Sequence, residues 1–283
     1  MDANRPVLSL VLPAFNEASV IAQAIAEAEV ALASLFESFE ILVVDDGSTD
    51  DTAAVVQSRL SDALHTKLIL HHGNRGYGAA LRTGFEAATA DLIAFTDADC
   101  QFNLLDLGPM VKLAEQSPIV AGYRHDRQDS RRRIFYSRGY NVLARAVLGT
   151  RVRDCDCALK VFRRETLAKL LPESRGFFVN AEMLTRARLL GLSITEMPVT
   201  HRPRLGGESK VSLLEIPRTL RTMLSFWWKE LVIGTKREPA RALIQSRITL
   251  TEACEVPERI ADRLPSSESP RPVGPPAPRR EAA

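Results

Sequence analysis

The segment FTDADCQF, residues 95 to 102, closes an apolar run with two carboxylates one residue apart, Asp97 and Asp99, and an amide two positions further on, Gln101. Side chains at i and i+2 of an extended segment point the same way, and two carboxylates held that close beyond a buried strand repel each other. A capped turn is one outcome and a divalent cation that relieves the repulsion is the other. Mg2+ and Mn2+ prefer oxygen ligands, take few of them from protein, and complete their shell with phosphate and water. The pattern D-x-D-x-Q therefore suits a cation that carries a diphosphate, with Gln101 supplying a neutral oxygen.

Three further polar clusters accompany this one: PAFNE (13 to 17), DDGSTD (45 to 50) and GNRGYG (73 to 78). Taken singly, each is a turn or a helix cap. Each also follows a short apolar run, VLSLVL, EILVV and KLILHH, as DADCQ follows LIAFTD, and helix-patterned segments such as EASVIAQAIAEAEVALASLF separate the runs. That alternation predicts an α/β fold with a mostly parallel, Rossmann-like sheet and helices on both faces. Ligands of such sheets bind at the carboxyl ends of the strands, so the four clusters are expected on one rim. NRGYGAAL lacks the third glycine of a dinucleotide fingerprint and follows the third strand, and the chain has no P-loop sequence.

At 283 residues and 45% hydrophobic, the chain can bury a sizeable core. A formal charge of +2 exerts no global pull on nucleic acid, which is not expected as a partner. Four cysteines lack the spacing of a disulfide framework or a zinc site, Met1 is followed by polar residues, and no stretch reaches the roughly 20 apolar residues of a bilayer span. A cytoplasmic setting is expected, either soluble or peripheral on a membrane.

PAFNE, VVDDGSTD, NRGYGAALRTGF, FTDADCQF, DCDCALKVF and GGESKV, in this order, resemble family 2 inverting glycosyltransferases of GT-A fold, in particular the polyprenyl-phosphate, dolichol-phosphate mannose synthase-like branch. The resemblance covers about residues 7 to 215. It implies that Pro13, Glu17, Asp45, Asp46, Gly76, Arg82 and Asp97 bind the nucleotide sugar. Asp97 and Asp99 match the metal and diphosphate motif, and Gln101 a further metal ligand. Arg204, Ser209 and Lys210 match a loop that closes over the diphosphate and an acceptor phosphate. Where the family has D-x-x-C-G-F-K this chain has D-C-D-C-A-L-K, a departure on the acceptor side. Asp154, Asp156 and Glu182 are the candidate bases, with Asp156 grouped with Asp97 and Asp99 as catalytic.

The implied reaction moves a hexose from a UDP- or GDP-sugar to a polyprenyl phosphate, with Mg2+ or Mn2+ as cofactor. A phosphate acceptor is already largely ionised at neutral pH, whereas a sugar hydroxyl needs a base. A soluble or glycan hydroxyl acceptor and a non-catalytic nucleotide-sugar-binding scaffold are the alternatives. Residues 1 to 212 are expected to form the catalytic domain, its nucleotide half ending near 123 and its acceptor half running from 124. The basic segment from 124 to 138, including Arg131 and Arg138, reads either as a solvated loop or as a contact to a lipid phosphate or anionic surface. Residues 213 to 235 pattern as an amphipathic helix that suits a membrane interface or packing on the catalytic domain. Seven of the sixteen prolines fall in the last 27 residues, which predicts a disordered tail over 236 to 283.

Overall fold

The computed structural model describes residues 6–127, 131–203 and 215–234. Seven strands form one sheet in the order β3-β2-β1-β4-β6-β5-β7. They are β1 (Leu8–Ala14), β2 (Phe39–Asp45), β3 (Thr66–Leu70), β4 (Leu92–Phe95), β5 (Ile119–Arg124), β6 (Lys160–Arg163) and β7 (Ile194–Val199). All neighbours pair in parallel except β6, which runs against both β4 and β5. β1 and β2 are buried along their whole length, as expected of central strands covered on both faces.

The helices are α1 (Ile21–Leu35), α2 (Thr52–Arg59), α3 (Tyr77–Ala87), α4 (Leu107–Ala114), α5 (Arg131–Leu148), α6 (Arg164–Leu170), α7 (Val179–Leu189) and α8 (Glu215–Trp227), which continues as a π turn, Trp228–Val232. α1 buries Ile21, Ala24, Ile25, Ala28, Ala31 and Leu32, the period of a helix laid on a sheet. The basic run that the sequence leaves between loop and interface forms the start of α5 from Arg131 onward. β6 starts at Lys160, two residues into ALKVF, and just ahead of α2 Asp50 Oδ1 accepts the Thr52 amide at 3.0 Å. Pro198 is tolerated in β7 because that strand is the sheet's edge.

A second, smaller core lies beside the main one. There Ala144 and Leu148 of α5, Phe178, Ala181 and Leu184 around α7, and Met223 and Phe226 of α8 pack together. Of the helix expected over 213 to 235, the described part packs on the catalytic domain through the buried Met223 and Phe226, while Leu224, Trp228, Val232 and Ile233 are exposed. Among the described residues no helix is long and apolar enough to cross a membrane.

Candidate active site

Since β3, β2, β1 and β4 are adjacent and parallel, their carboxyl ends lie side by side, and the four polar clusters share one rim as expected. β6 runs the other way, so its amino end, and the loop DCDCALK that precedes it, arrive at the same rim.

The clusters hold one another. Asn16, at φ 52, accepts the Thr49 amide on Oδ1 at 2.8 Å and donates its own amide to Ser48 Oγ at 2.8 Å. The Glu17 amide donates to Thr52 Oγ1 at 2.8 Å, with Glu17 itself buried. Asp45 accepts the Ser48 amide at 3.1 Å and the Ser48 hydroxyl; burial, more than the neighbouring Asp50 and Asp46, leaves its carboxyl above the ordinary value. Asp46 spends both oxygens on the Gly-rich loop: Oδ1 accepts the Arg75 amide at 2.9 Å, Oδ2 the Gly76 amide at 2.7 Å, and His71 Nδ1 lies 2.7 Å from Oδ1. Pro13 is buried in β1 past Val11, the last residue that pairs with β4, so a ladder donor is no longer needed on that side. Arg82 is engaged away from these loops, with Nε 2.8 Å from Glu86 and Nη1 donating to the Pro172 carbonyl at 3.3 Å.

The glycines of GNRGYG have a second reason to be there. Gly76 sits at φ 100, where an L side chain is strained. A Cβ on Gly78 would fall 2.0 Å from the Ser174 carbonyl oxygen, because the loop before α7 crosses there and Arg175 O accepts the Gly78 amide at 2.8 Å. Phe177 of that loop stacks on Tyr77, centroids 5.5 Å apart.

Asp97 and Asp99 do not stand on an extended segment. β4 ends at Phe95 and the chain turns through Ala98 to Cys100, which takes φ 58. Asp97 is half-buried and accepts the Tyr77 hydroxyl at 2.8 Å, and Asp99 is buried and accepts the Gln101 amide at 3.2 Å. Gln101 is also buried and donates Nε2 to the Arg202 carbonyl at 3.3 Å, while Arg202 N donates to Gln101 O at 2.7 Å. That places Arg202 and Pro203, the approach to the GGESK segment, against the acidic turn. Cys100 points inward as expected, and burial pushes its thiol up to about 11.

On the other side of the rim, Arg124 grips Asp154 with Nε 2.6 Å from Oδ2 and Nη2 2.9 Å from Oδ1. Burial alone would raise Asp154; the guanidinium outweighs it and holds the carboxyl below its ordinary value. Asp156, half-buried, is pushed up to about 6 by burial and then by Asp154. Lys160 is fully buried, and its ammonium donates to the carbonyls of Cys155 (3.2 Å) and Cys157 and to Asn180 Oδ1 (2.9 Å), which folds the loop back on itself. Glu182 is buried at the start of α7, where it accepts the amides of Glu173 and Ser174 at 2.8 Å each and lies 2.6 Å from Arg186. It shapes a loop instead of facing the rim. Arg138 is exposed on α5. The side chain of Arg131, and the whole of Arg204, Ser209 and Lys210, lie outside the described residues.

The residue that ties these parts together is Tyr77. Burial first, and then the charge of Asp97, which accepts its hydroxyl at 2.8 Å, followed by those of Asp99 and Asp156, push its phenol well above the ordinary value. Sequence reasoning passed over it, although a lone aromatic between two glycines at a helix start was a signal. The Arg124–Asp154 pair joins residues 30 apart and left no such signal.

Among the described residues no group of three or more His, Cys, Asp or Glu side chains could hold a metal ion. Two carboxylates with hard oxygen donors remain. They fit Mg2+ or Mn2+ only in the mode where phosphate and water supply most of the shell.

The strand order and the rim define a GT-A fold, and solved structures agree. Glucosyl-3-phosphoglycerate synthase of Mycobacterium tuberculosis with Mn2+, UDP and glucosyl-3-phosphoglycerate superposes with a TM-score of 0.59 over 80% of each chain at 23% identity. The same enzyme with Mg2+ and UDP gives 0.60 over 80% of this chain and 79% of that one at 22%. Residues 9–171 match Glycosyl transferase family 2. The chain belongs to that family. It is 34% identical over 212 residues to an undecaprenyl-phosphate 4-deoxy-4-formamido-L-arabinose transferase of Sodalis glossinidius (strain morsitans), and 32% to the enzyme of that name from Klebsiella pneumoniae (strain 342). In both, the match spans 74% of this chain and 64% of the relative's length.

Proposed function

We propose that the protein transfers a glycosyl group from a nucleoside-diphosphate sugar to a polyprenyl phosphate with inversion. The observation that carries this is the acidic turn of Asp97 and Asp99 after β4, with Asp97 held by the Tyr77 hydroxyl at 2.8 Å, on the rim shared by the Gly-rich turn and the loop before β6. The loops of Asn16, Asp45, Asp46 and Gly76 form the donor side. Asp97 and Asp99 would hold Mg2+ or Mn2+ with the diphosphate, Gln101 buttressing the turn, and a cation held there would offset charge on the departing diphosphate. Tyr77 orients Asp97 by its hydrogen bond. Asp46 fixes the Gly-rich loop and does so with both oxygens. Arg204, Ser209 and Lys210, reached through Arg202 and Pro203, are proposed to close over the phosphates.

An acceptor phosphate attacks the anomeric carbon through an oxygen that needs no deprotonation. Arg124 is committed to Asp154, so the acceptor charge is met by the remaining cations of this side, Arg138 on α5 among them. The exposed apolar residues of α8 and the π turn, flanked by Arg218, Arg221 and Lys229, suit contact with an anionic membrane, where such an acceptor resides. The names of the 34% and 32% identical relatives support the acceptor class. Asp156 supports the second reading, a hydroxyl acceptor, because a carboxyl near 6 is poised to act as a base.

The test is incubation with Mg2+ or Mn2+, polyprenyl phosphate and a panel of UDP- and GDP-hexoses plus UDP-4-deoxy-4-formamido-L-arabinose. Labelled lipid from one donor is expected, and no label from any donor refutes the proposal. Asp156→Asn separates the readings: a phosphate acceptor keeps most turnover, a hydroxyl acceptor loses about 10²-fold or more.

A further inference from the structure

A buried ion relay joins α8 and its π turn to the Gly-rich turn. Arg186 of α7 is buried, with Nη2 2.6 Å from Glu182, 3.6 Å from Glu230 of the π turn and 3.8 Å from Glu173. Its Nη1 donates to Leu171 O at 2.7 Å, and its guanidinium lies 5.6 Å from the ring of Phe226 in α8. The side chains of Glu182 and Glu230 are only 1% and 7% exposed. A carboxylate buried to that degree is strongly unfavourable unless a cation faces it, and Arg186 faces Glu230 at 3.6 Å.

From Glu182 the contacts continue without a gap. Its oxygens fix the Glu173 and Ser174 amides, the same loop presents Arg175 O to the Gly78 amide and Phe177 to Tyr77, and Tyr77 donates to Asp97. A second contact runs in parallel, Phe226 meeting Phe178 edge-on at 5.3 Å. Glu230 reaches Arg186 from a π turn, closed by the Ile233 amide on Trp228 O at 3.0 Å. Single π turns are uncommon and gather at functional sites. Return to α-helical bonding would rotate the side chains relative to the helix before them by about 100° per residue removed, and Glu230 would leave Arg186.

We propose that Arg186 and Glu230 are a positioning pair through which the seating of α8 and its π turn sets the 171–178 loop, and through that loop the Gly-rich turn and Asp97. The inference rests on the reading of this rim as the donor site, and neither residue touches donor. Donor binding is then conditional on α8 being docked.

Hydrogen exchange on the full chain tests this with no substrate present. Glu230→Gln keeps the shape and removes the charge. Exchange at Glu173, Ser174 and Gly78 is expected to accelerate about tenfold, with Arg186→Lys giving the same pattern and Glu230→Asp a partial one. Ile25→Val, a packing loss on α1, should leave those three amides unchanged relative to the rest of the chain. Unchanged exchange there in Glu230→Gln, or acceleration spread evenly over the protein, overturns the inference. UDP binding with Mn2+ should weaken about fivefold in Glu230→Gln, and donor KM should rise while acceptor KM holds. If the wild type transfers no sugar, the proposed function fails by itself, and the exchange pattern still decides the relay.

Discussion

Replacing Gly78 by alanine tests the packing of the rim through the sign of a stability change. Gly78 is the second residue of α3, where alanine is the better helix former by about 0.5–1 kcal/mol. Against this, the new Cβ would lie 2.0 Å from Ser174 O, 3.0 Å from its carbonyl carbon and 3.2 Å from that of Arg175. The obstacle is backbone, pinned by Glu182 through two amides, so it cannot swing aside as a side chain does. Overpacking of this kind costs about 1–3 kcal/mol, and loss of the Gly78–Arg175 hydrogen bond a further 0.5–1.5 kcal/mol or so. The clash therefore outweighs the propensity, for a net loss of about 0.5–4 kcal/mol, or roughly 2–4 °C of melting temperature per kcal/mol. Gly139 is the internal control: it is exposed on α5 with nothing within 4 Å of its Cβ, and Gly139→Ala should stabilise by about 0.5–1 kcal/mol. Thermal melts of the two variants read both signs. A Gly78→Ala protein that melts higher than wild type would refute the close passage of the 171–178 loop over the Gly-rich turn, and the relay built on it.

Tyr77→Phe keeps the stacking on Phe177 and removes one hydrogen bond to Asp97, so Mn2+–UDP affinity should fall about tenfold, the low end for a bond to a charged group; calorimetry giving an unchanged affinity would exclude the positioning role. Asp156 holds its proton in the fold up to about pH 6 whereas the unfolded chain releases it near 3.8. Stability therefore falls as pH rises through that window and the cost is complete above about 6. Asp156→Asn should melt above wild type at pH 7.5, with the difference narrowing toward pH 5, and a constant difference would contradict the shifted carboxyl. Trp228→Glu puts a charge on the outward face of the π turn and should cut binding to vesicles containing anionic lipid several-fold in a sedimentation assay; wild-type protein that ignores such vesicles refutes the membrane contact.

Most of the frame was legible from residue order. The four apolar runs became β1 to β4 because a strand buried on both faces must be apolar along its length, and the polar clusters landed on one rim because parallel strands end together. D-x-D-x-Q was found for a chemical reason, yet the geometry assumed for it was wrong in detail. The two carboxylates lie across a turn whose Cys100 has positive φ, which nothing in the sequence required. Arg82 and Glu182 carry charges in motif-bearing segments, and only the fold shows their partners, Glu86 and Pro172 for Arg82 and the loop before α7 for Glu182.

The sequence by itself determined the family, the parallel half of the sheet and the residue types able to carry a cation and a diphosphate, because these depend on local periodicity and on side-chain chemistry. Tertiary structure alone decided which of those side chains are at liberty to act. Asp154 is neutralised by Arg124, thirty residues away, while Asp156, two residues on, stays half-buried with its proton held to about pH 6. The reversal of β6 brings that loop to the donor rim, and a strand's direction in a sheet is set by its crossover connections, not by its own residues. The link from Glu230 to Asp97 joins residues 133 apart (230 − 97) and exists only because α7, α8 and the Gly-rich turn pack around one loop.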